Sequence, residues 1–260
     1  MNTKSFKQRV LDGEAVLGTF LCLGDSVVAE MIGALGYDWV LIDLEHGLGS
    51  EQDALLQMQA VAPTGTTPIV RVESKAAQRI YRILDSGAQG IMCPHVDSAA
   101  EAAEVVSAMR YPPVGKRGVA KLIRGAQFGA TFDTYAARCA EELLAVVQIE
   151  TRAAVENVQA IARTEGVDVL FIGPSDLSMD LGIHGQFDHP LFIAAVKKIT
   201  DAAKSAGKAI GILLFTPDDY AKYYQLGIRF FACEADAVFL REAALAAITK
   251  LKAARDATAR

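Results

Sequence analysis

Carboxylates in this chain close short apolar runs, often with a second polar residue two positions away. Trp39-Val40-Leu41-Ile42 leads into Asp43, Glu45 and His46. Ile69-Val70 leads into Arg71 and Glu73, and Val146-Val147 leads into Gln148 and Glu150. On an extended chain residues two apart share a face. Asp43 with Glu45, Arg71 with Glu73, and Gln148 with Glu150 therefore project together, their aliphatic neighbours opposite. Asp176 follows another apolar run in Gly173-Pro174-Ser175-Asp176. Crowded into one cleft beside the lone cation Arg71, Asp43, Glu45, Glu73, Glu150 and Asp176 would repel, and some would take up protons. A divalent cation relieves that repulsion, and oxygen donors favour Mg²⁺ or Mn²⁺ over a structural zinc. A buried network pairing each acid with a loop Arg or Lys is the alternative. His46 is a candidate acid/base. The free N–H groups of the Gly173–Ser175 turn suit a carboxylate.

Other chemistries are disfavoured. A Schiff-base enzyme needs a lysine on an inward strand position, and no predicted strand carries one near its C-terminal end; Lys208 precedes the seventh. The loops after the seventh and eighth runs, FTPDDY and CEADAV, are acidic and lack glycine, which argues against a barrel phosphate site there. Cys22, Cys93 and Cys233 fall near strand ends and read as small strand residues; no CxxC pair occurs.

These side chains need a frame. The chain has 260 residues, 52% of them hydrophobic, enough for a sizeable core. Its 26 Lys+Arg against 31 Asp+Glu give a net charge of −5, which speaks against a nucleic-acid partner. The opening MNTKSFKQRV lacks an apolar leader core, and no apolar run is long enough to span a bilayer. The expectation is no membrane association and a reducing, cytoplasmic location.

A helix-to-strand joint marked by glycine recurs at Gly36, Gly87, Gly166, Gly207 and Gly227. Glycine suits the left-handed position just past a helix end. Strands are expected at Val16–Cys22, Asp38–Asp43, Pro68–Val72, Gly90–Cys93, Leu143–Ile149, Asp168–Ile172, Ala209–Phe215 and Arg229–Cys233. Helices are expected at Val27–Leu35, Ala76–Leu84, Ala99–Met109, Ala153–Ala162, Leu191–Ser205, Asp218–Gln225 and Val238–Ala254. The stretch Tyr111–Tyr135 reads as a long loop. Alternating βα units imply a parallel sheet. Their number, and the lack of an early GxGxxG, favour a single-domain (β/α)8 TIM barrel over an open sheet, with the polar faces in its C-terminal mouth. The last helix has an apolar face (Leu240, Ala244, Ile248, Leu251) that could cap its own barrel or be exchanged between subunits.

The blocks GYDWVLIDLEHG, PIVRV, LDSGAQGIMCP, GKRGVAKLIRGAQFG, VVQIET and LFIGPSDLSMDLG resemble the HpcH/HpaI aldolase family from about Gly18 to Val238. That family comprises metal-dependent class II pyruvate aldolases, 4-hydroxy-2-oxoheptanedioate aldolase among them. The resemblance implies reversible cleavage of a 4-hydroxy-2-oxo acid to pyruvate and an aldehyde, with Mg²⁺, Mn²⁺ or Co²⁺ as cofactor. It implies metal ligation by Glu150 and Asp176, keto-oxygen contact by Arg71 and acid/base work by His46. It further implies support of that histidine by Asp85 of a neighbouring subunit, and a pyruvate carboxylate held at Gln148 and the Gly173–Ser175 backbone. Subunits are expected to form a homo-oligomer, a hexamer built as a trimer of dimers. Ser175, where alanine is also common, and the acidic CEADAVFL segment depart from the family pattern, the latter on the aldehyde side.

Rival readings are a CoA-ester lyase of the malyl- or citryl-CoA type, with Lys116, Arg117, Lys121 and Arg124 as its basic group; a carbon–carbon bond-forming enzyme of secondary metabolism; and a non-catalytic oxo-acid-binding barrel.

Overall fold

The five joint glycines all take a positive φ in the computed structural model, which describes residues 4–259: +92° at Gly36, +103° at Gly87, +86° at Gly166, +66° at Gly207 and +93° at Gly227. A Cβ would be strained at each, so these positions end one helix and turn the chain into the next strand.

The strands are β1 (Val16–Leu21), β2 (Trp39–Asp43), β3 (Thr67–Arg71), β4 (Gly90–Cys93), β5 (Leu144–Ile149), β6 (Val169–Ile172), β7 (Ala209–Leu214) and β8 (Phe230–Ala235). They pair in parallel, in chain order, and β8 closes on β1. The helices are α1 (Phe6–Leu11), α2 (Ser26–Gly33), α3 (Glu51–Val61), α4 (Ala77–Asp85), α5 (Ala99–Met109), α6 (Phe132–Glu142), α7 (Arg152–Ala162), α8 (Pro174–Asp180), α9 (Pro190–Ser205), α10 (Tyr220–Gln225) and α11 (Asp236–Thr258). The architecture is the (β/α)8 TIM barrel expected from the sequence. The Tyr111–Tyr135 stretch is not wholly a loop, since it contains a 3₁₀ segment at Arg124–Gly129 and the start of α6.

Alternation along the strands builds two cores. Phe20, Leu41, Ile69, Met92, Val146, Phe171 and Phe230 fill the barrel. Val40, Ile42, Val70, Ile91, Val147, Ile172 and Ile212 face the helices. Trp39 also points inward, stacked on Phe230 at 4.1 Å between ring centroids. It fits because residue 18 on the neighbouring strand is glycine: a Cβ there would overlap the indole.

The end of the barrel opposite the mouth is closed by α1. Its Lys7 is buried, and Nζ lies 2.8 Å from Asp168 Oδ2 while donating to the carbonyls of Ala140 (2.9 Å) and Leu143 (3.0 Å). Removing one member of a buried pair strands the other charge. Lys7→Met is expected to cost about 3–5 kcal/mol in urea unfolding. A loss under about 1 kcal/mol would show that Asp168 does not depend on Lys7.

The last helix departs from the wall. Asp236 is its one buried residue, and every described residue of α11 beyond Phe239 is exposed. Its Leu240, Leu245, Ile248 and Leu251 face solvent. Between β1, β8 and α10 lies a cavity of about 620 Å³, lined by Leu17, Tyr220, Phe231 and Val238 among others. Among the described residues no helix is long and apolar enough to cross a membrane.

Candidate active site

The inward, C-terminal positions of β2, β3 and β5 bring Asp43, Arg71 and Gln148 together. Arg71 Nε and Nη2 grip both Asp43 oxygens at 2.9 and 2.7 Å. Its Nη1 reaches Glu45 Oε2 at 3.0 Å and donates to Gln148 Oε1 at 3.5 Å. Burial alone would push the Asp43 carboxyl up. The Arg71 fork, with the Glu45 and His46 amides that bond Oδ1 at 3.1 and 3.3 Å, outweighs burial and holds the carboxyl below its ordinary range. Burial likewise acts to lower the Arg71 pKa, and its bonds to Asp43 more than offset this, so the guanidinium stays charged. The result is a fixed cation held on one side by Asp43 and facing Glu45 and Gln148 with Nη1.

Glu150 follows β5 and is also buried. Its Oε1 accepts the backbone N–H of His95 at 2.7 Å, and its Oε2 accepts Gln148 Nε2 at 2.9 Å. Gln148 is thus a strut between Arg71 and Glu150. Burial pushes Glu150 up to about 7; the amide and imidazole of His95 oppose the rise, and the carboxylates of Asp176 and Glu45 add to it. Asp176 stands in the first turn of α8, with Ser175 beside it, both exposed. Gly173 cradles Glu150: a Cβ there would overlap Oε2 and sit 3.0 Å from Glu150 Cβ. A costly buried carboxylate, a second carboxylate acting on it and a glycine clearing the space suit a divalent cation better than they suit a packed core. Among the described residues, no group of three or more His, Cys, Asp and Glu side chains is already gathered around a cation position. Glu150 and Asp176 would need water and substrate oxygens to complete a shell.

His46 lies in the β2–α3 loop, 63% exposed at its side chain, with Nε2 3.7 Å from Glu45 Oε2. The other oxygen of Glu45 faces a histidine the sequence reading missed: His95 Nε2 is 3.8 Å from Oε1, and His95 Nδ1 is 3.4 Å from Glu150 Oε1. His95 follows Pro94 in the β4–α5 loop with φ +50°, a left-handed conformation uncommon for a side-chain-bearing residue. Its carbonyl accepts Lys75 Nζ at 2.8 Å, and that ammonium also bonds Glu101 at 2.5 Å. Glu73 does not share a strand face with Arg71 as expected. Strand β3 ends at Arg71, the two-residue period lapses, and Glu73 turns out to pair with Arg79. Asp85 ends α4, at the opposite end of the barrel, and bonds Arg117 Nη2 at 2.6 Å. Within one chain it does not meet His46. Burial pushes Cys22 and Cys93 up to about 12 and Cys233 up to about 11, which leaves no thiolate nucleophile among them.

A family model described as HpcH/HpaI aldolase/citrate lyase matches residues 17–243. The chain belongs to this family. One relative, the hydroxypyruvate/pyruvate aldolase of Chromohalobacter salexigens, is 41% identical over 93% of this chain and 95% of its own. The 2-keto-3-deoxy-L-rhamnonate aldolase of Salmonella gallinarum is 39% identical over 92% and 89%. The crystal structure of an HpcH/HpaI aldolase/citrate lyase family protein from Burkholderia cenocepacia superposes with a TM-score of 0.90 at 35% identity, covering 95% of this chain and 98% of the other.

The folded chain gathers Asp43, Arg71, Gln148 and Glu150 at the barrel mouth. It does not bring the basic residues of the 116–124 segment into a nucleotide-sized patch. Arg117 is buried against Asp85 and Tyr135, Arg124 donates to the Ser86 carbonyl at 2.9 Å, and Lys121 lies over the Phe132 ring. Gly173 offers a local test. Gly173→Ala should displace Glu150 and weaken Mn²⁺ binding by about tenfold or more, measured by calorimetry. Unchanged affinity would show that Glu150 is not held by that cradle.

Proposed function

We propose that this HpcH/HpaI family member is a class II aldolase that reversibly cleaves a 4-hydroxy-2-oxo acid to pyruvate and an aldehyde. The observation that carries the reading is the buried Glu150 carboxylate, pushed up to about 7 beside Asp176 and wired through Gln148 to the fixed Arg71 guanidinium. The relatives named as acting on hydroxypyruvate/pyruvate and on 2-keto-3-deoxy-L-rhamnonate support a 2-oxo acid as the shared part of the substrate.

Mg²⁺, Mn²⁺ or Co²⁺ held by Glu150 and Asp176 would supply Lewis-acid polarisation of the ketone. Arg71 adds a second positive group toward the keto oxygen as negative charge develops there during cleavage. Asp43 and Glu45 keep that guanidinium charged and aimed. His46, or a water relayed through it, takes the C4 hydroxyl proton as the C3–C4 bond breaks, and the enolate left behind is then protonated at C3 to give pyruvate. The N–H groups of the Gly173–Ser175 turn, with Gln148 beside them, hold the carboxylate of the 2-oxo acid. The aldehyde portion then lies toward the β1 and β8 loops, where CEADAV departs from the family pattern.

Pyruvate release from a panel of 4-hydroxy-2-oxo acids tests the reading. Exhaustive chelation should abolish release, and Mg²⁺, Mn²⁺ or Co²⁺ should restore it. Full activity without metal, or turnover confined to CoA thioesters, would contradict it. A protein that binds metal and pyruvate without turnover would be the non-catalytic barrel.

The same proposal includes association of identical chains, because Asp85 can assist His46 only from another copy. The exposed leucines of α11 supply a surface for it, with the last helix exchanged into the β1–β8 cavity of a second copy. Light scattering should give a multiple of the 27.8 kDa chain mass, reduced by Leu245→Asp. A monomer at working concentrations would remove Asp85 from the mechanism.

A further inference from the structure

α11 has 23 residues, and the one it buries is an aspartate. Asp236 is 4% exposed. Its Oδ1 accepts the Cys22 N–H at 2.8 Å and the Ala237 N–H at 2.7 Å, and its Oδ2 accepts the Leu23 N–H at 3.2 Å. Cys22 and Leu23 are the first residues beyond β1, at the mouth. A carboxylate buried this deeply is costly unless its bonds are needed where they are made.

Those bonds extend to His46 through contacts at every step. The Cys22 carbonyl accepts the Leu48 N–H at 2.8 Å, joining the β1–α2 loop to the loop that carries His46. The two loops meet backbone to backbone: a Cβ on Gly24, whose φ is +70°, would lie 2.9 Å from Gly49 Cα. A Cβ on Gly47 would overlap the Asp43 carbonyl and lie 3.2 Å from that of Cys22. On its inner side the His46 loop is pinned by the bonds from the Glu45 and His46 amides to Asp43. It is thus clamped between Asp43 inside and Asp236 outside. Glu150 and Asp176 follow β5 and β6, across the barrel from β1 and β2.

We infer that Asp236 is a positioning residue for the reaction: from the first turn of α11 it fastens the two mouth loops that set His46 over the substrate. The inference rests on the aldolase reading for its kinetic consequence and on the hydrogen-bond chain alone for its structural one. A change in the seating of that helix therefore reaches His46 through this carboxylate.

The test uses the full-length protein with Mn²⁺. Asp236→Ala should lower kcat by at least about tenfold while the Mn²⁺ Kd and the KM for the 2-oxo acid stay within about twofold. Asp236→Asn, whose amide oxygen can still accept the Cys22 N–H, should recover most of that loss. On a His46→Ala background the Asp236→Ala change should cost less than about twofold, because the two act through one group. Losses that multiply, a Kd that rises in step with the fall in kcat, or a fully active Asp236→Ala variant would overturn the inference. Amide hydrogen exchange provides a readout independent of turnover. Asp236→Ala should speed exchange in 22–25 and 44–49 and leave 147–151 and 173–177 unchanged; if the alanine variant does not fold, Asp236→Asn, which keeps the Cys22 bond and loses the Leu23 one, should speed exchange in 22–25 to a smaller extent. A role limited to starting α11 would instead speed exchange in that helix alone, and would refute the inference. If the wild type cleaves no 2-oxo acid, the aldolase reading fails, and the exchange comparison still decides the role of Asp236.

Discussion

Replacing Glu150 by glutamine should abolish turnover and make the metal-free protein more stable. Both effects follow from one carboxylate. A cation site deprived of one of two protein ligands loses several kcal/mol of transition-state stabilisation, roughly 10³-fold or more in kcat. The stability effect comes from burial, which pushes Glu150 from 4.5 up to about 7. A carboxyl whose folded pKa lies above its unfolded value stabilises the fold while protonated. The penalty for ionising it is absent at low pH, grows as pH rises from 4.5 toward 7, and levels off above that. The shift corresponds to about 3 kcal/mol. Glutamine escapes that penalty but meets the His95 N–H or Gln148 Nε2 with an amide NH₂, so a net gain of about 1–2 kcal/mol is expected. Urea unfolding in chelator at pH 5 and pH 8 checks the sign. The wild type should lose stability between the two relative to Glu150→Gln, and added Mn²⁺ should reverse the order at pH 8. A variant that is less stable at pH 8 without metal would contradict the assignment of Glu150 as an unrelieved buried charge.

Arg71→Ala carries the second large effect, and its signature differs. Loss of a donor aimed at developing oxygen charge costs roughly 10²–10³ in kcat. Metal affinity should change far less, since Arg71 reaches Glu150 through Gln148 and through Glu45 and His95 rather than by a bond of its own. Folding should suffer as well. Asp43 is 2% exposed and would keep its two amide bonds but lose both arms of the guanidinium. That costs about 3–5 kcal/mol for a stranded buried charge. The Asp43 pKa is held below its ordinary range, so this contribution is present above the ordinary carboxylate range and fades as pH falls through the lowered value. Arg71→Lys should rescue little, because one ammonium cannot grip both Asp43 oxygens and still reach Glu45. Steady-state kinetics with Mn²⁺ titrations, and urea unfolding at pH 8 and at an acid pH below the ordinary carboxylate range, would separate these effects. Normal turnover in Arg71→Ala would remove the residue from the mechanism.

The barrel was legible because two local rules hold along the whole chain. Glycine marks helix-to-strand joints where a positive φ is required, and strand residues alternate between the two faces. The same alternation put Asp43, Arg71 and Gln148 inside the mouth before any coordinates. It failed at Glu73, where the strand had already ended and the period no longer applied. His95 was missed for a related reason: it lies in a loop, in a left-handed conformation that no periodicity reports. Its signal was positional, a histidine just after β4 at the level where the other βα loops carry polar groups. Asp236 offered a similar signal, an acid at the junction of the last strand and last helix, but its partners are backbone amides more than two hundred residues earlier in the chain. Short α8 was hidden because a proline at its first turn reads equally as a plain turn. Asp85 illustrates a different limit. The family resemblance implies a place for it beside His46 of another subunit, while in one chain it meets Arg117 rather than His46.

Glu150 and Asp176 are proposed to share one ion, and that ion to receive a 2-oxo acid. Anomalous scattering from a crystal soaked with Mn²⁺ and pyruvate measures this directly. One strong peak is expected in the mouth, within bonding distance of both carboxylates and of two pyruvate oxygens, with Arg71 facing the keto oxygen. A peak bound to only one of the two carboxylates, or pyruvate seated away from the metal, would contradict it.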